Sequence, residues 1–66
     1  MQLDSAQLTA LAQILRLGSF DAAAAALGVT PSAISQRVKA LEDRVGATLV
    51  LRGQPCTGTP MGQRLA

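Results

Sequence analysis

The middle of the chain, residues 27–41, reads Leu-Gly-Val-Thr-Pro-Ser-Ala-Ile-Ser-Gln-Arg-Val-Lys-Ala-Leu. Thr30 followed by Pro31 predicts a helix start, because the hydroxyl caps free N–H groups and proline fits the first helical position. Apolar residues then recur at the three- or four-residue spacing of one helix face: Ile34, Val38, Leu41 and Val45. Gly46 is a natural end, so the pattern predicts a helix over about 31–45.

Two more helices are predicted before this one. The first covers about 5–17, capped by Asp4 or Ser5 and ended by Gly18. Its apolar positions are Leu8, Leu11 and Leu15, with Ala12 beside them. The second is a short alanine-rich helix over Phe20 to Leu27, capped by Ser19 and followed by Gly28. Two helices joined by a tight glycine turn predict a helix-turn-helix.

The third helix carries a polar face roughly opposite its apolar stripe. Four side chains share that face: Ser32, Ser35, Gln36 and Lys39. Serine and glutamine can bond to base edges, lysine can reach a phosphate or a guanine, and the helix N-terminus can bind a phosphate. A solvated helix face has the same composition, so this pattern alone leaves both interpretations open.

The remaining residues predict a hairpin and a last helix. Thr48 to Arg52 is predicted as a strand, a turn follows over 53–58, and Thr57 to Thr59 returns as a second short strand. Thr59 and Pro60 repeat the cap-and-proline start, and we expect the helix that they open to be cut short at Ala66. The predicted fold class is mainly α, a winged helix-turn-helix with three helices, a two-stranded wing and the start of a last helix.

Composition limits the classes of function. Sixty-six residues form one small domain, and the formal net charge of +2 with a pI near 9.5 is mildly basic. The charged fraction of 15% is low, which suggests apolar surface that meets a partner. The single cysteine, Cys56, cannot form an internal disulfide, and without any histidine we expect neither a zinc site nor a Cys–His nucleophile.

No enzyme is predicted from the carboxylates. Asp4 and Asp21 lie at helix starts, where capping explains them, and the adjacent Glu42 and Asp43 point in different directions. We therefore expect no catalytic residue, no metal and no cofactor. No signal peptide or membrane span is visible, so the expected location is the cytoplasm.

Taken together, these segments resemble the N-terminal domain of LysR-type transcriptional regulators. The resemblance rests on residues 18–27, Gly-Ser-Phe-Asp-Ala-Ala-Ala-Ala-Ala-Leu, and on residues 30–42, Thr-Pro-Ser-Ala-Ile-Ser-Gln-Arg-Val-Lys-Ala-Leu-Glu. Val45-Gly46, Leu49, Arg52 and Thr59-x-x-Gly62 extend it over nearly the whole chain. The run from Ser35 to Glu42 and the Gln-Pro of the wing are most similar to the branch that controls lysine and arginine export.

The resemblance implies sequence-specific binding of double-stranded DNA with helix 3 in the major groove. It implies a DNA-binding domain over 1–59 and the start of a truncated linker helix over 60–66. In the full-length protein that helix would form a homodimer, and a small-molecule effector would be bound by a domain absent here. By position, the DNA-binding residues would be Thr30, Pro31, Ser32, Ser35, Gln36, Lys39 and Arg52. Pro31 stands where many members have glutamine, and the wing tip lacks a second basic residue, which leaves minor-groove reading open.

Several matching residues are expected to be structural. Six are assigned to the core: Phe20, Ala23, Leu27, Ile34, Val38 and Leu41. Arg37 and Arg44 could contact DNA, but pairing with Glu42 or Asp43, or plain solvation, is the preferred expectation. The alternative function is a winged helix used only for protein–protein interaction.

Overall fold

The structure, a computed structural model, describes residues 4–66 and contains the predicted order of elements. Three helices, α1 (Ser5–Leu17), α2 (Phe20–Leu27) and α3 (Pro31–Val45), pack against one another. Two short strands, β1 (Val50–Leu51) and β2 (Thr57–Gly58), form an antiparallel pair, and α4 (Pro60–Leu65) follows. The prediction of a mainly helical winged helix-turn-helix is confirmed.

The helix starts are fixed by the predicted caps. Of the two candidates for α1, Asp4 is the cap, and its Oδ1 accepts the N–H of Ala6 at 2.8 Å. The hydroxyls of Ser19, Thr30 and Thr59 each accept the N–H three residues later at 3.1 Å. Each bond satisfies a donor that the first helical turn leaves without a partner.

The three glycines that were predicted to end α1, α2 and α3 all have a left-handed backbone. Their φ angles are 74° at Gly18, 70° at Gly28 and 73° at Gly46. Glycine adopts this region without the steric cost that a Cβ imposes, so each helix ends where the sequence changes to glycine.

The core lies between the three long helices, and its composition corrects part of the prediction. Ala23, Ile34, Val38 and Leu41 are buried as expected, whereas Phe20 and Leu27 are only half-buried at the two ends of α2. In α1 the buried stripe is Ala10, Leu11 and Ile14, and Leu8 and Leu15 pack at its margin. Of the leucines predicted for the apolar face of α1, only Leu11 is fully buried. The other inward positions, Ala10 and Ile14, belong to a neighbouring row of side chains.

The hairpin, residues 50–58, is the wing, and its strands are shorter than predicted. Val50 pairs with Gly58 and Leu51 with Thr57. Thr48 and Leu49, predicted in the first strand, lie outside it, although Leu49 and Thr59 are the next partners in register and the Leu49 carbonyl accepts the Thr59 N–H at 3.0 Å. The Thr48 carbonyl accepts the Thr59 hydroxyl at 2.7 Å. The ladder ends here because the Leu49 N–H donates to the Glu42 carboxylate and the Thr59 carbonyl accepts the N–H of Gln63 in α4, so the second bond of this pair is not made.

Helix α4 contacts the residues before β1 at very short range. Gly62 is buried, and a Cβ at this position would overlap the carbonyl oxygen of Leu49. The absence of a side chain therefore lets the first turn of α4 lie directly on the chain that leads into the wing.

Candidate nucleic-acid interface

The predicted polar face of α3 lies on the outside of the molecule. Ser32, Gln36 and Lys39 are exposed, and Ser35 is half-buried beside them. The opposite side is closed against α1 and α2, since Ile34 and Leu41 are fully buried and Val38 is 2% exposed. A helix held by one face and exposed along the other can enter a groove without losing its core contacts.

The start of α3 adds backbone and hydroxyl groups to this face. Thr30 and Pro31 are both exposed, but the Thr30 Oγ1 is already committed as acceptor to the N–H of Ala33. Its hydroxyl proton remains available as a donor. Pro31 has no N–H, so a contact from this residue can be made only by its ring or its carbonyl.

Charge varies along the exposed face. Lys39 lies seven positions after Ser32 and three after Gln36, so the three side chains share one row of the helix. Asp43, an exposed carboxylate, continues this row one turn after Lys39. A polyanion is attracted at Lys39 and repelled at Asp43. The favourable part of the face therefore runs from Ser32 to Lys39.

Glu42 makes a contact that the sequence analysis did not anticipate. Its Oε2 accepts the N–H of Leu49 at 2.8 Å and is 3.4 Å from the N of Val50. Glu42 was named as one of two alternative partners for Arg37 and Arg44, and the bonds that the structure shows for its carboxylate are to the backbone that opens the wing. Arg37 is half-buried and forms neither an ion pair nor a hydrogen bond within residues 4–66.

The wing folds back on the turn between α1 and α2. The Cys56 N–H donates to the Gly18 carbonyl at 2.9 Å, and the Pro55 Cβ lies 2.8 Å from where a Cβ on Gly18 would be. The Arg52 guanidinium carbon lies 4.2 Å from the centroid of the Phe20 ring. Arg52, predicted as a DNA contact, is thus exposed and also stacked on the first residue of α2.

The structure brings Ser32, Ser35, Gln36 and Lys39 together on one helix and places Arg52 at a separate position on the wing. The roles of Glu42 and Phe20 were missed. Their partners are at least seven positions away in sequence, and helical periodicity gives no signal for such contacts. Within the described part of the chain there is no group of three or more histidine, cysteine or acidic side chains able to hold a metal.

None of the helices within residues 4–66 combines the length and the apolar character that crossing a bilayer needs.

Comparison with protein families gives a match over residues 5–63 to the bacterial regulatory helix-turn-helix proteins of the lysR family. The HTH-type transcriptional regulator LysG of Mycobacterium bovis is 61% identical over 61 residues, which is 92% of this chain and 20% of that protein. The lysine export transcriptional regulatory protein LysG of Corynebacterium glutamicum is 52% identical over 59 residues, covering 89% of this chain and 20% of the relative. The chain therefore spans about a fifth of the length of these curated relatives.

Solved structures give the same relationship in three dimensions. Full-length LysG from Corynebacterium glutamicum with bound effector Arg superimposes with a TM-score of 0.90 at 50% identity, over 94% of this chain and 21% of that one. DarR of Vibrio fischeri in complex with DNA gives a TM-score of 0.90 at 37% identity, over 97% of this chain and 22% of that one. The four-helix arrangement and the wing are thus shared with a protein whose structure contains DNA.

Proposed function

This chain belongs to the lysR family of bacterial regulatory helix-turn-helix proteins, and we propose that it binds double-stranded DNA sequence-specifically through α3. The family consists of transcription regulators, in agreement with the prediction that the chain is not an enzyme. The observation that carries the proposal is the exposed polar face at the N-terminal half of α3, held by a buried stripe on its other side.

The proposed contacts follow from the exposure of each side chain. Ser32 and Gln36 are exposed one turn apart and would reach base edges, where a glutamine amide can bond to adenine through two groups. Ser35 is half-buried, so its hydroxyl would reach only an atom close to the helix surface. Lys39, farther along the helix, would bind a phosphate or a guanine.

The two residues at the helix start, Thr30 and Pro31, complete the proposed interface on α3. The Thr30 hydroxyl holds the first turn and can donate its proton to a phosphate. Pro31 would make a van der Waals contact with the groove, because it offers no side-chain hydrogen bond. Arg52 is proposed as the contact from the wing.

The organisation of the whole protein is also proposed from the relatives. We infer a DNA-binding domain over 1–59 and the beginning of a linker helix over 60–66, which agrees with the cap at Thr59 and the close packing of Gly62. Two copies joined through that helix would present two α3 helices to a two-part DNA site. The proposed location is the cytoplasm.

Control of basic amino-acid export, in response to a small-molecule effector bound outside this chain, is the proposed biological role. Its support is the identity of 52% with a lysine export regulator and of 50% with a regulator solved with bound arginine. Expression of a neighbouring exporter gene, measured with added lysine or arginine, would test this part separately from DNA binding.

A salt series of duplex binding tests the central part of the proposal. Neutralising several phosphates releases counterions, so the affinity for a fixed duplex should fall steeply as the salt concentration rises. Lys39→Ala should weaken binding and reduce the slope of log K against log salt by about 1. Arg16→Ala is the matched control, because it also removes one positive charge while its guanidinium is already bonded to Gln13 at 2.7 Å.

Binding that does not depend on salt, or an equal effect of the two variants, would contradict the proposal. In that case protein–protein contact would be favoured. The exposed Leu51, with 53% of its surface accessible on the wing, is the feature that supports this alternative.

A further inference from the structure

Phe20 and Arg52 form a stacked pair that joins the start of α2 to the wing. Phe20 is half-buried and packs at the edge of the core, and its ring carries the Arg52 guanidinium at 4.2 Å. This distance is well within the range of about 6 Å over which an aromatic face attracts a cation. The pair spans thirty-two positions of sequence and fixes where the wing places its charge.

The guanidinium carbon of Arg52 lies over the Phe20 ring, and this contact uses none of the group's N–H donors. The five N–H donors of arginine lie in the plane of the group and form a fork that matches two oxygens of a phosphate. Arg52 is exposed, and its donors form no hydrogen bond or ion pair with any residue from 4 to 66. The guanidinium is therefore held against the ring while its donors remain available.

The backbone beneath Arg52 is held as well. The Cys56 N–H bonds to the Gly18 carbonyl at 2.9 Å, and Pro55 lies against Gly18, so the end of the wing loop that leads into β2 is fixed to the body of the domain. Arg52 is also the only lysine or arginine between residues 50 and 58. An ion pair between residues 50–58 of the wing and a DNA phosphate can therefore be made only by this side chain.

We propose that Phe20 is a positioning residue, which holds the Arg52 guanidinium in the orientation that binds a DNA phosphate. This inference rests on the proposed function and adds to it the residue that organises the wing contact. In a helix-turn-helix the first helix of the motif crosses the DNA backbone, and Phe20 is the first residue of that helix, α2. A guanidinium that is already oriented loses less side-chain entropy when it binds.

A double-mutant cycle on DNA affinity tests this coupling. The protein and its Arg52→Ala, Phe20→Leu and doubly substituted variants are titrated onto one fixed duplex of arbitrary sequence over a range of salt. Arg52→Ala should weaken binding roughly ten-fold at low salt, the effect of losing one charged hydrogen bond, and lower the salt slope by about 1. Phe20→Leu should weaken binding about three-fold alone, but should have no effect once Arg52 is absent.

Two further variants separate positioning from stability. Phe20→Tyr retains the aromatic face and should bind DNA like the unsubstituted protein. Leu27→Val trims a half-buried side chain at the other end of α2 and should lower stability without changing affinity. Urea denaturation of each variant establishes that the titrated protein is folded.

The inference is overturned if Phe20→Leu weakens binding equally with and without Arg52, or if Arg52→Ala leaves the salt slope unchanged. In either case the unsubstituted protein would still bind DNA in a salt-dependent way, so the proposed function would stand while the role of Phe20 fails. If the unsubstituted protein shows no salt-dependent binding at all, the proposed function fails, and the role of Phe20 fails with it.

Discussion

Replacing Gly62 with alanine should destabilise the domain, although alanine is the better helix former. Gly62 lies in α4, where a Cβ would overlap the Leu49 carbonyl oxygen and lie 2.9 Å from the carbonyl carbon and 3.2 Å from the Cα. These are backbone atoms, and the same oxygen accepts the Thr59 N–H at 3.0 Å. The segment therefore cannot move away without lengthening that bond.

The magnitude follows from three contributions to the free energy of unfolding. Overpacking a close contact costs about 1–3 kcal/mol, and weakening the Thr59 bond costs about 1 kcal/mol. The higher helix propensity of alanine returns about 1 kcal/mol. The net loss is about 1–3 kcal/mol, which is large for a domain whose core supplies roughly 3–5 kcal/mol.

Urea denaturation followed by far-ultraviolet circular dichroism measures this loss. With a slope near 1 kcal/mol per M for a small domain, the midpoint should fall by about 1–3 M. Arg64→Ala, an exposed change in the same helix, is the control and should shift the free energy of unfolding by less than about 1 kcal/mol. A Gly62→Ala midpoint at or above that of the unsubstituted protein would refute the close packing of α4 on Leu49.

Three other substitutions test separate parts of the account. Val38→Asp should leave the domain unfolded at room temperature by circular dichroism, because it puts an unpaired charge at a position that is 2% exposed; a cooperative thermal transition would contradict this. Glu42→Ala should lower the free energy of unfolding by about 1–3 kcal/mol, since the Leu49 N–H loses its acceptor, and Glu42→Gln should recover part of it in the same urea assay. Asp43→Asn should tighten duplex binding a few-fold at low salt, with the gain vanishing at high salt, because it removes a carboxylate from the exposed row that contains Lys39; an unchanged affinity would place Asp43 outside the interface.

The helices could be predicted because their boundaries are local. A hydroxyl or carboxylate cap and a glycine end act within a few residues, and Thr30, Gly46 and Thr59 were each identified in this way. The outward side of α3 was also predictable, since the spacing of Ile34, Val38 and Leu41 determines which side is buried.

The features that the sequence did not reveal depend on contacts between distant segments. The strands of the wing are short because the Leu49 N–H donates to Glu42 and the Thr59 carbonyl accepts the Gln63 N–H, and no property of Leu49 or Thr59 alone indicates these partners. Glu42 was expected among surface charges, yet its carboxylate bonds to the backbone of Leu49. The stacking of Arg52 on Phe20 likewise depends on the path of the wing, which local patterns do not specify.

The claim that α3 reads base sequence is tested most directly by selecting bound sites from random duplex DNA. The selection is run with the protein and with its Gln36→Ala variant side by side. Gln36 is exposed and its side chain is not needed for the core, so the variant should remain folded. The account predicts one recovered motif for the unsubstituted protein and a loss of preference at one or two adjacent base pairs for the variant. Recovery of the same motif with unchanged preference at every position would show that the exposed side of α3 around Gln36 does not read the bases.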